Sequence, residues 1–182
     1  MRVIITLISI VALGLNVIFS QTTFTFHTAG NWTDAANWSP SYPGVSISNS
    51  IININAVCEM GSSNYLTLQA NSTININSNF SGDIDSYNSS INIGTNSLIG
   101  SLTGTSNNLV ISANSNVTSE FLILSSGTII NHGNLSVNLY AEINLSANNY
   151  GLINLTDFVI DGSFNNYGSL YFNEGIFNIY LL

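Results

Sequence analysis

Two carboxylates stand one residue apart in Ser81-Gly-Asp83-Ile-Asp85-Ser86. In an extended strand such a pair projects from one side. There it could hold Ca²⁺, or divide the acid and base roles of glycoside hydrolysis. No further acid lies beside the pair, and a turn rich in Ser and Gly solvates Asp readily, so a solvated turn is the competing reading. Trp32 and Trp38 could stack on sugar rings; they could equally close one end of an apolar core. Cys58 is the single cysteine, so no intrachain disulfide exists. No cation is near it in sequence to lower its pKa, and it reads as a small buried hydrophobe. His27 and His132 are too few and too far apart in sequence to suggest a metal site. No phosphate-binding glycine loop, nucleophile elbow or Cys/His metal spacing occurs. No cofactor is expected.

Charge narrows the partners further. The 182 residues hold nine acids and one basic residue, Arg2. Arg2 opens an apolar run, Val3 to Phe19, that ends at the small residue Ser20. Residues 1–20 therefore read as a secretory signal peptide, with Gln21 as the new N-terminus. Cleavage would leave nine acids and no Lys or Arg. Such a chain cannot bind nucleic acid by neutralising phosphates. Nor can it serve a uronic-acid lyase, which needs cations around the substrate carboxylate; a hydrolase needing only carboxylates survives. No later segment is apolar for long enough to span a bilayer.

The elements that would position these residues repeat. Ile52-Asn-Ile54, Ile74-Asn-Ile76, Ile91-Asn-Ile93 and Leu109-Val-Ile111 are short alternating triplets. Leu135-Ser-Val137, Ile143-Asn-Leu145, Ile153-Asn-Leu155 and Leu170-Tyr-Phe172 continue them. Period-two alternation with β-branched residues predicts strands with one apolar face. Ile74 to Ile91 is 17 positions and Ile91 to Leu109 is 18. Asn131-His-Gly133, Asn149-Tyr-Gly151 and Asn166-Tyr-Gly168 form a second series, spaced 18 and 17. In it His132 stands where Tyr150 and Tyr167 stand, as a turn residue. Units this short cannot bury their own apolar face and must stack on one another. The expected fold is all-β: a parallel β-helix (β-solenoid) of about seven coils, roughly 35 Å long at the usual strand spacing. Inward Ile, Leu, Val and Phe would form columns, and outward Asn, Ser and Thr would hydrogen-bond along the stack.

Both tryptophans and both prolines fall in Gly30-Asn-Trp-Thr-Asp-Ala-Ala-Asn-Trp-Ser-Pro-Ser-Tyr-Pro-Gly44. A solenoid end is an open sheet edge, and this chain has no Lys to blunt one. Residues 21–44 are therefore expected to cap the stack and 45–182 to form it, with prolines preventing strand continuation. The Gly-x-Trp-x-Asp opening, followed by Trp38-Ser39, Pro43-Gly44 and the apolar run Ile47–Ile54, resembles repetitive secreted surface proteins of gram-negative bacteria. That resemblance implies a β-helical, adhesin-like or autotransporter-passenger-like region at the cell surface or outside the cell, without catalysis.

The functional expectation is a secreted or cell-surface, non-enzymatic β-solenoid, adhesin-like or extracellular structural. Its partner would be an extracellular glycan or cell-surface component, and its ends could self-associate. The alternative is a carbohydrate-binding or polysaccharide-degrading β-helix using Trp32 and Trp38, with Asp83 and Asp85 as a calcium or catalytic pair. Ice binding by a flat Thr face is a third reading, weakened because Thr does not recur at the repeat period.

Overall fold

A computed structural model describes residues 20–61 and 64–179. Apart from Ser20, the leader expected at 1–20 lies outside the described residues, as do the last three residues of the apolar tail. The described residues are 65% strand and 2% helix, wound into a parallel β-solenoid of about seven turns. Among the described residues no helix is long and apolar enough to cross a membrane.

The triplets seen in the sequence set the register. Ile74 lies beside Ile52 on one side and Ile91 on the other, and Ile91 lies beside Leu109. These short strands build a first sheet, continuing through Gly127–Asn131, Ser146–Asn149 and Phe164–Asn166. The second sheet is made of longer strands, such as Ser97–Thr105, Asn116–Leu124 and Asn134–Ile143. Their pairing slips at a bulge, between Ile99 and Leu102, Ser119 and Phe121, and Val137 and Ala141. Each bulge turns the strand a corner. One turn therefore presents three faces: one from the first sheet and two from the second.

Alternation sends every second side chain inward. Ile52, Ile74, Ile91, Leu109, Ile129 and Ala147 form one continuous column, all essentially inaccessible. Burying each Ile or Leu contributes about 1.5–3 kcal/mol. The adjoining column changes character partway. Ile54, Ile76, Ile93 and Ile111 give way to Asn131 and Asn149, both fully buried. Asn131 Nδ2 donates to Asn149 Oδ1 at 2.8 Å, and Asn149 Nδ2 donates to Asn166 Oδ1 at 2.7 Å. The sequence pattern placed Asn ladders outside, and this one runs inside. Stacked amides satisfy each other within the core, which removes most of the cost of burying them. At the foot of the ladder Asn131 Oδ1 has no donor, because Ile111 stands below it.

The corners explain the turn residues. Asn49, Asn71, Asn88 and Ser106 stack in the left-handed region, with φ of 48°, 62°, 49° and 57°. Asn tolerates that conformation better than any other non-glycine residue. The corner after the internal ladder uses Gly133, Gly151 and Gly168. Here the requirement is space: a Cβ on Gly151 would sit 2.0 Å from the Gly133 carbonyl oxygen, and one on Gly168 2.0 Å from that of Gly151.

The boundary expected at residue 45 moves. Thr22–Phe26 already pairs in parallel with Ser50–Ile54, Phe24 beside Ile52. The first turn thus begins at Thr22 and takes 28 residues to close. Within it, Trp38–Ser39 pairs antiparallel on the free edge of Thr22–Phe26. The capping element is this reversed strand and its aromatic cluster, within 21–44 rather than the whole of it.

Candidate functional site

Trp32 is 0% and Trp38 5% exposed. Their rings meet edge to face at 4.5 Å, and Trp38 also packs edge-on against Phe26 at 5.1 Å. Each indole N–H is committed to the backbone: Trp32 Nε1 donates to Gly44 O at 2.9 Å and Trp38 Nε1 to Trp32 O at 2.7 Å. The first of these bonds ties the Pro43–Gly44 loop to the buried Trp32. Neither ring offers solvent an open face on which a sugar could lie. Asp34 caps the short 3₁₀ turn Ala35–Asn37 by accepting from the Ala36 N–H at 3.0 Å.

Asp83 and Asp85 project outward from strand Phe80–Tyr87, as the spacing required. Both are bound to the next turn. Asp83 Oδ1 accepts the Ser101 N–H at 2.8 Å and lies over Gly100, where a Cβ would come within 2.3 Å of it. Asp85 Oδ1 accepts the Thr103 hydroxyl at 2.8 Å, and its Oδ2 accepts from Tyr87 at 2.8 Å. The Tyr87 hydrogen bond to Asp85, reinforced by the carboxylate charge, pushes the Tyr87 hydroxyl above its ordinary pKa. The two carboxylates therefore link neighbouring turns. Among the described residues no group of three or more His, Cys, Asp or Glu is arranged to share a cation.

Cys58 is fully buried in the second sheet, next to Phe80 in register. Burial, with a smaller contribution from Glu59, pushes its thiol from about 9 to about 12. His132, Tyr150 and Tyr167 form an exposed ring stack, with centroids 4.8 and 5.1 Å apart. The motif alignment predicted their equivalence but not the ring contact. An open groove of about 500 Å³ runs over the second sheet, with Val57, Leu98 and Thr118 along it.

The most distinctive surface was missed by sequence reasoning. Eight of the nine acids lie on strands of the second sheet: Glu59, Asp83, Asp85, Glu120, Glu142, Asp157, Asp161 and Glu174. The ninth, Asp34, sits at the cap. The first sheet carries no charged residue on any strand. Its outward positions form two rows in register. One runs Thr23, Ile51, Thr73, Ser90, Asn108, Thr128, Ser146; the other Thr25, Asn53, Asn75, Asn92, Val110, Ile130, Asn148. The signal was present in the residue preceding each apolar triplet. It was hidden because turns of unequal length put the aligned residues 17 to 22 positions apart from Ile51 onward, and 28 at the first step.

No protein-family model, curated protein or solved structure matches this chain. The class of protein is therefore defined by the fold: a parallel β-solenoid with an aromatic cluster near its N-terminus.

Proposed function

We propose that the protein is a secreted or cell-surface, non-enzymatic β-solenoid, an adhesin-like or extracellular structural element. One observation carries this reading: outward polar side chains bond to their equivalents on the next turn, making a stiff, neutral surface. Asn75 donates to Asn53 at 2.9 Å and Asn92 to Asn75 at 2.8 Å. Such a surface presents groups at fixed spacing with little ordering entropy left to lose on contact. The carboxylates that could have served hydrolysis are engaged in the same inter-turn bonding. The leader-like residues 1–20 and the resemblance of Gly30–Gly44 to bacterial surface proteins support an extracytoplasmic location.

Expression of the full chain in a gram-negative host, followed by fractionation, protease treatment of intact cells and N-terminal sequencing, tests this. The expected product begins at Gln21 and lies outside the cytoplasm. A cytoplasmic chain that keeps residues 1–20 would overturn the reading.

A further inference from the structure

The outward face of the first sheet stands apart from the rest of the surface. Eight parallel strands, Thr22–Phe26 through Phe164–Asn166, give it a length of roughly 34 Å, and about four residues give it a width near 13 Å. No charged residue interrupts it, although the mature chain is strongly acidic elsewhere. The large exposed apolar residues, among them Leu98, Tyr150, Tyr167 and Tyr171, all lie off its strands. What remains is a grid of hydroxyls, amides and methyl groups, repeating about 4.8 Å along the stack and about 6.7 Å along each strand.

We propose that this face binds the surface of crystalline water. Three other occupants fit less well. An anionic partner would need cations, and the mature chain has no Lys or Arg. A second copy or another protein would bury only about 450 Å² here, against about 800 Å² per partner in a stable interface, and no Trp, Tyr or Arg anchor is present. A sugar surface presents apolar ring faces that aromatic side chains cover best, and this face has no aromatic side chain pointing outward. Ice presents only O–H donors and acceptors on a fixed grid.

The grid is already in place before contact. Besides the Asn53–Asn75–Asn92 ladder, Thr128 Oγ1 donates to Asn108 Oδ1 at 2.6 Å and Asn165 Nδ2 to Asn148 Oδ1 at 3.0 Å. Asn75, at the middle of its ladder, uses one N–H and one lone pair there and keeps the others for water. Ile51, Val110, Ile130 and the Thr methyl groups lie between these polar groups and can sit in the openings of the lattice. Thr alone does not recur in register either, but Thr and Ser together put hydroxyls at Thr23, Thr73, Ser90, Thr128 and Ser146 of one row, with Ile51 and Asn108 between them. The proposal names a surface for the adhesive role above, and rests on that reading only for exposure to the medium.

The test is slow growth of ice from a dilute solution of the mature chain, with the protein fraction measured in ice and in liquid. The expected result is several-fold enrichment in ice relative to an acidic control protein. Ser90→Tyr and Thr128→Tyr, each checked for fold by circular dichroism, should remove the enrichment. Ser136→Tyr, on the second sheet, should keep it. Exclusion of the wild-type chain from ice would overturn the proposal without bearing on secretion, and does not depend on any variant folding. Retained enrichment in folded Ser90→Tyr would also overturn it. So would tight binding to microcrystalline cellulose or chitin that Ser90→Tyr abolishes, which would assign the face to a glycan.

Discussion

Replacing Gly151 by alanine adds one methyl group at a closely packed corner of the stack. The new Cβ would lie 2.0 Å from Gly133 O and 2.7 Å from the His132 carbonyl carbon. Real Cβ atoms essentially never come under 3.0 Å, so the two turns must part by about 1 Å at this corner. The bonds that hold them there are Leu152 N–H to Gly133 O at 2.8 Å, Gly151 N–H to Asn131 O at 3.1 Å and Tyr150 N–H to Asn131 O at 2.7 Å. Weakening two of these costs about 2 kcal/mol, and overpacking a close contact costs about 1–3 kcal/mol more. The expected loss is about 3–5 kcal/mol, a large share of a typical domain's stability. For a chain of this size it lowers Tm by roughly 6–20 °C. Gly94→Ala is the matched control, because its Cβ would meet Ile76 O at an ordinary 3.4 Å. It should stay within about 1 kcal/mol of the wild type, gaining slightly from reduced freedom in the unfolded chain. Thermal and urea unfolding followed by far-UV circular dichroism measures both. If Gly151→Ala melts within about 2 °C of the wild type, the turns are not packed as described.

Asn149→Ala removes the middle rung of the internal ladder, leaving Asn131 Nδ2 with only Leu152 O and depriving Asn166 Oδ1 of its donor. Urea unfolding should show a loss of about 2–4 kcal/mol, larger than for Asn75→Ala on the exposed ladder, which should cost under about 1 kcal/mol. Because its folded-state pKa is raised, the Cys58 thiol adds stability that is fully present below about pH 9 and is lost as pH rises toward about 12. Alkaline unfolding should therefore be shallower in Cys58→Ala, and the native thiol should react with a disulfide reagent only once denaturant is added. Asp85→Asn removes the carboxylate that accepts from Tyr87, so the Tyr87 titration followed by ultraviolet absorbance should move down toward the ordinary tyrosine range; an unmoved titration would disprove that coupling.

The parts of the fold legible in the sequence are those where short strands repeat with constant connections. Ile74, Ile91 and Leu109 alternate cleanly and fall 17 and 18 residues apart, and the structure pairs them as that spacing required. The same holds for Asn131, Asn149 and Asn166. The third face was not legible, because a bulge before Leu102, Leu122 and Ala141 breaks the alternation that would reveal a strand. Ile143-Asn-Leu145 imitates a strand triplet but rounds a corner, since its strand ends at Ile143. Thr22–Phe26 was hidden as part of the stack because its partner is 28 residues away. Of the candidate sites, the sequence showed that Asp83 and Asp85 share a side. Their engagement by Ser101 and Thr103 on the next turn depends on three-dimensional register, which one sequence cannot display. The burial of Trp32 and Trp38 follows from packing against Phe26 and Phe80, which lie on two different turns.

The register of the stacked turns is tested most directly by paired cysteines on the first sheet, in a Cys58→Ala background. Asn75 and Asn92 are direct partners on adjacent parallel strands, a separation of about 4.8 Å that a disulfide can span. Asn75 and Val110 are two strands apart, at roughly twice that distance, beyond a disulfide's reach. Oxidation of the folded protein should close the 75–92 pair within one chain and leave the 75–110 pair reduced. A folded 75–92 variant that fails to close, or a 75–110 pair that closes readily, would contradict the stacked register from which the rest is built.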